Sequence, residues 1–169
     1  MQYPEAYIAY LIEFHATRDY FECHELLEDY WKEQEPGQRQ SIWVVLIQIA
    51  VGCYHYRRNN LAGAKKMLEK AEANLQAVDR EKLRVIGMGE EGLLELIQSQ
   101  HQRVLDGKLY APFALPLNDQ ELITHCREAC NRLGLVWNNS LPVPEEIKNR
   151  HLYRGKMYES RQGRFNGNN

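Results

Sequence analysis

Between Gln38 and Arg58 lies a run that leaves little choice of architecture. Ile42-Trp43-Val44-Val45-Leu46-Ile47-Gln48-Ile49-Ala50-Val51 presents apolar side chains in every direction around a helix. The pattern is too long for one strand. A helix without a polar face is stable only when covered on all sides. The rest of the chain must therefore wrap this helix. Gln48 and His55 interrupt it seven residues apart, so they share a face, and buried polar groups of this kind need partners.

The flanking sequence supplies more helices and no paired strands. Pro4 opens a helix over residues 4–17, since a first-turn residue has no use for its missing N–H. Asp19 followed by Glu22 reads as a capping box for a second helix, Tyr20 to Glu33, which Pro36-Gly37 stops. Asn59-Asn60 turns the central helix into a fourth, Leu61 to Val78, close enough to pack as a hairpin. A fifth helix is expected from Glu90 to Asp106. Pro112-Phe113-Ala114-Leu115-Pro116 follows as extended chain along the bundle. A sixth, capped by Asn118 and Glu121, runs to Leu133 with Gly134 as its stop. Pro142 and Pro144 introduce a short last helix. The reading is all-α: a compact bundle of five to seven helices, one domain over residues 1–154, with a flexible basic tail at 155–169.

Charge separates the tail from the body. Residues 148–169 hold six Lys/Arg against one Glu, or +5, and residues 1–147 hold 15 basic and 22 acidic side chains, or −7. An acidic body makes nucleic acid an unlikely partner, although a basic tail bearing Tyr153, Tyr158 and Phe165 would give weak, salt-sensitive contacts with phosphates. The start, Met1 to Glu5, does not read as a signal peptide. The stretch from Ile42 to Tyr56 is too short to span a bilayer. Cys23, Cys53, Cys126 and Cys130 contain no CxxC pair and read as reduced buried thiols, so the expected location is cytoplasmic without membrane association.

The candidate site falls on the second helix. At 100° per residue, Tyr30, Cys23, Leu27, Tyr20 and Trp31 form its apolar arc. His24 stands at the edge of that arc with Glu28 beside it, one turn on. Glu25, Asp29 and Glu22 should be progressively wetter. Proton-binding groups beside a core are costly unless paired, so His24 and Glu28 either close a packing network with Gln48 and His55 of the central helix or line a site. His24, Glu28, Gln48, His55 and Trp31 are the ligand-binding candidates. His24, Glu28 and His55 would supply mixed N/O ligands suited to a divalent metal such as Zn, Mn or Fe, with Glu25 as a fourth. Glu25 and Glu28 are the candidate general bases. A zincin needs a second His where Glu28 stands, and no Glu-x-x-His pair of the ferritin type is present. His125, Cys126 and Cys130 share a helix but have no partners for a metal site on a second one.

The segment from Phe21 to Trp31, with Leu46-Ile47-Gln48-Ile49-Ala50 and the block Tyr54-His55-Tyr56-Arg57-Arg58-Asn59-Asn60-Leu61-Ala62-Gly63-Ala64, resembles the bacterial family catalogued as domain of unknown function 309. The resemblance covers about residues 8–78. It implies a compact all-helical fold and a cytoplasmic prokaryotic protein, and it implies no reaction. His15 stands where the family pattern has Asn. Two functional classes follow. One is a polar pocket between the second and third helices that binds a metal ion or an unknown small ligand. The other is an interaction or structural module in which the cluster only sets helix packing. In that second class the aromatic first helix (Tyr3, Tyr7, Tyr10, Phe14) meets a protein partner or a second copy in a homo-oligomer.

Overall fold

The computed structural model describes residues 3–152, and their regular elements are helical. In chain order these are α1 (Glu5–Ile12), a π-helical turn (Glu13–Thr17), α2 (Tyr20–Gln34), α3 (Ile42–Arg57), α4 (Leu61–Ala77), α5 (Arg80–Val85), α6 (Glu90–Leu105), α7 (Gln120–Leu133) and α8 (Glu145–Lys148). The fold is all-α, and the extended pairing among the described residues is one isolated bridge, Met88 to Leu117. Among the described residues no helix is long and apolar enough to cross a membrane. The tail expected over 155–169 lies outside the described residues.

The apolar run is the centre, as its pattern requires. Val45, Leu46, Ile49 and Ala50 of α3 are buried, with α2 packed on one flank and α4 on the other. The helix starts later than Gln38 because Ser41 caps it, accepting from the Trp43 N–H at 3.2 Å. Asn59, in the left-handed region at φ 62°, turns the chain. Asn60 then caps α4 through the Gly63 N–H at 3.0 Å. Here glycine is required by space. A Cβ on Gly63 would stand 2.7 Å from Asn60 Nδ2 and 3.0 Å from His55 Cγ.

The first helix does not present an aromatic docking face. Tyr7, Tyr10 and Phe14 are fully buried in the main core beside Tyr20 and Trp43. Their hydroxyls find carbonyls: Tyr7 donates to Ile86 O at 2.7 Å and Tyr10 to Leu46 O at 2.9 Å. These three side chains pack inside the chain, where α1 lies against α2 and is met by α7.

Two local expectations shift. α7 is capped by Asp119, which accepts from the Glu121 and Leu122 N–H groups at 2.9 and 3.3 Å, one residue after the expected Asn118. α5 went unread because its six residues are mostly charged and bury only Leu83. The segment around Pro112–Pro116 is extended and lies on the bundle. Phe113 meets Phe14 at 5.7 Å between ring centroids, and the Leu115 N–H donates to His15 Nε2 at 3.0 Å.

Candidate functional site

α2 is set by its N-cap: Asp19 is buried and accepts from the Glu22 N–H at 3.1 Å and from Arg150 Nη2 at 2.8 Å. Tyr20, Cys23 and Leu27 then face the core. That rotation leaves the next stripe, His24 and Glu28, at the boundary between core and solvent. His24 Nε2 lies 2.8 Å from Glu28 Oε2. His24 Nδ1 lies 3.4 Å from Glu25 Oε1. Lys32 Nζ holds the other Glu28 oxygen at 2.8 Å. The wheel order fails for Glu25, whose side chain is 18% exposed against 30% for Glu28. Its carboxylate is folded back against the imidazole rather than extended into water.

The chemistry of this group follows from the ring. A neutral imidazole has one N–H to give. The ring therefore serves one of the two carboxylates as donor, and a cation at the group would engage the other. His24, Glu25 and Glu28 each offer a ligand atom, and these atoms lie within 4.8 Å of one another. Among the described residues no other His, Cys, Asp or Glu set gathers in this way, so His125, Cys126 and Cys130 do not form one.

His24 and Glu28 line a cleft of about 540 Å³ between α2, α3 and α4. Trp31, Gln48 and His55 line it too, so the structure brings the sequence candidates to one cavity. It does not bring them into one polar cluster. Gln48 Oε1 accepts from Asn74 Nδ2 of α4 at 2.9 Å. His55 Nδ1 is met by Asn60 Nδ2 at 3.2 Å, and His55 lies outside the group of close ligand atoms. The reason is helical phase: both residues are bonded from the α4 side, Gln48 by Asn74 and His55 by the cap residue Asn60. Burial, then the charges of Arg58 and His151, holds the His55 ring below its ordinary pKa. Trp31 is half-buried and donates Nε1–H to Gln38 O at 2.8 Å.

Sequence reasoning missed several lining residues. Phe21, Tyr54 and Arg58 also line the cleft. Arg58, three residues after His55, could have been found by helical spacing, and Tyr54, four residues before Arg58, follows from it. His151 arrives from the far end of the chain and pairs its Nδ1 with the Tyr54 hydroxyl; no local signal announces that contact. The four cysteines are free and buried. Burial pushes the Cys53 and Cys126 thiols up to about 12.

The chain's similarities fall on this region. Residues 7–67 match the family described as Domain of unknown function (DUF309). An uncharacterized protein of Bacillus subtilis (strain 168), YpuF, is 47% identical over 135 residues, covering 80% of this chain and 77% of that protein. No solved structure matches.

Proposed function

This chain belongs to the domain of unknown function 309 family, and from that premise we propose that His24, Glu25 and Glu28 hold a divalent cation at the mouth of the α2–α3–α4 cleft. The observation that carries the reading is the closeness of three ligand atoms, within 4.8 Å, on one turn of helix. His24 supplies one ring nitrogen, and Glu25 and Glu28 supply one carboxylate oxygen each, the three atoms that lie within 4.8 Å of one another. One nitrogen and carboxylate oxygens suit a borderline ion of the Zn, Mn or Fe type. The adjoining cleft falls within the ~300–1,000 Å³ typical of small-ligand sites. The ligand's organic part would rest on Phe21, Trp31 and Ile47.

The test is the metal content of the untagged protein by plasma mass spectrometry beside His24→Ala. Near-stoichiometric metal that disappears in the variant supports the reading. Metal-free protein in both cases, with the variant clearly less stable, overturns it in favour of a packing network. That second reading has its own support in the 2.8 Å contact between His24 Nε2 and Glu28 Oε2, an i,i+4 pair that by itself holds the ring at the edge of the helix.

A further inference from the structure

A second cleft, about 460 Å³, opens where the end of α3 meets the Leu109–Pro112 chain and the Ser140–Lys148 segment. Arg18, Arg57 and Lys148 line it, against one carboxylate, Glu145. Glu145 accepts from Asn149 Nδ2 at 2.9 Å, and the cations of the lining outnumber it.

Among the described residues the two arginines meet only neutral acceptors. Arg18, 3% exposed and held at φ 56°, gives Nε to Asn139 O at 2.9 Å and Nη1 to Phe113 O at 2.5 Å. Arg57 gives Nη1 to Arg18 O at 2.7 Å and lays its guanidinium 4.6 Å over the Tyr20 ring. Stacking uses the face of the guanidinium and leaves its in-plane N–H groups wanting acceptors. Arg57 Nε and Nη2 are buried and have none among the described residues. Neither arginine forms an ion pair there. Buried charge without a counter-charge, and buried donors without acceptors, are both costly. Their retention at a cavity wall marks a place for an anion.

We propose that this cleft binds a small organic oxyanion, a phosphate or carboxylate group on an apolar body. The fork of Arg57 matches either head group. The ligand draws the guanidinium forward, since its two orphaned nitrogens are closed to water. Lys148 and Arg18 add to the positive field. Leu109 and Leu141, 80% and 70% exposed at the cleft, receive the apolar part. Arg18 is the structural member, fastening two loops; Lys148 meets the ligand from the cleft wall, and Arg57 meets it once drawn forward.

Calorimetric titration of the full chain with inorganic phosphate, hexyl phosphate and hexanoate tests this at low salt. Saturable binding is expected, tighter for a hexyl probe than for inorganic phosphate. Tighter binding of hexyl phosphate than of hexanoate identifies a phosphate head, and the reverse a carboxylate; both fit the proposal. Arg57→Lys keeps a donor for Arg18 O but loses the fork, and should weaken binding about tenfold, the value of one charge-assisted bond. Lys148→Ala, which removes a partly exposed cation, should weaken it several-fold with unfolding unchanged. His24→Ala should leave it unaltered, which separates this site from the cation site. No saturable binding of any probe by the unaltered protein, or undiminished binding in both cation variants, overturns the proposal.

Discussion

His15 is held at both ring nitrogens. Nδ1–H donates to Leu11 O at 2.7 Å, Nε2 accepts the Leu115 N–H at 3.0 Å, and the ring stacks on Trp137 at 4.3 Å. Both bonds require the neutral ring, and burial lowers its pKa to about 4. A group whose folded pKa lies below its unfolded value of about 6.5 favours folding fully above the upper value. That contribution fades as pH falls towards the lower one, because the unfolded chain binds the extra proton. The loss between pH 6.5 and 4 is on the order of 3 kcal/mol. His15→Ala should cost about 3 kcal/mol at pH 7 through lost packing and an orphaned Leu115 N–H. It should also flatten that part of the pH dependence. Urea unfolding at pH 7 and 4.5 decides it; equal pH slopes for the two proteins would refute the assignment. Helical spacing from Tyr7, Ile8, Leu11 and Ile12 puts His15 near one stripe of the first helix. It could not show the second bond, because Leu115 is a hundred residues away and meets the ring only after α6 has turned the chain back.

At the scale of elements, the α3–α4 hairpin depends on one tight corner. Ala in place of Gly63 gains about 1 kcal/mol of helix propensity. Against this, its Cβ would press on Asn60 Nδ2 and His55 Cγ, straining the cap and the ring together. Caps carry about 0.5–2 kcal/mol and overpacking about 1–3 kcal/mol, so Gly63→Ala should destabilise the protein by about 1–2 kcal/mol, read from the urea midpoint. A stabilised variant would mean that the corner is looser than its geometry. Elements with strong local signals were legible: α2 from Asp19, α4 from Asn60, α7 from its Gly134 stop at φ 70°. α5 was not, since six residues with one buried leucine carry no period to read. The candidate site was half legible. Periodicity alone puts His24 and Glu28 on one edge of α2. Whether Gln48 and His55 turn towards that edge depends on the azimuth of α3, which α4 sets by pairing Asn74 with Gln48.

Across the whole molecule, one core unites the two halves. Tyr7, Phe14, Leu46 and Ile49 share a buried cluster with Leu83, Ile86, Met88, Leu93, Ile97, Leu115, Leu122 and Cys126. The stretch that matches the family, residues 7–67, therefore lacks much of the surface that covers its own aromatics. A fragment of residues 1–78 should show weak, non-cooperative melting by circular dichroism, where the full chain melts cooperatively. A sharp transition in the fragment would count against this. The sequence by itself determined the class of fold, because an all-apolar helix needs helices around it. It also determined the helix edge on which His24 and Glu28 stand, because that follows from 3.6 residues per turn. Tertiary structure alone decided that Gln48 pairs with Asn74, that Leu115 meets His15, and that Arg18 and Arg57 share a cleft. These depend on how helices rotate against one another and on contacts across a hundred residues, and no local periodicity encodes either.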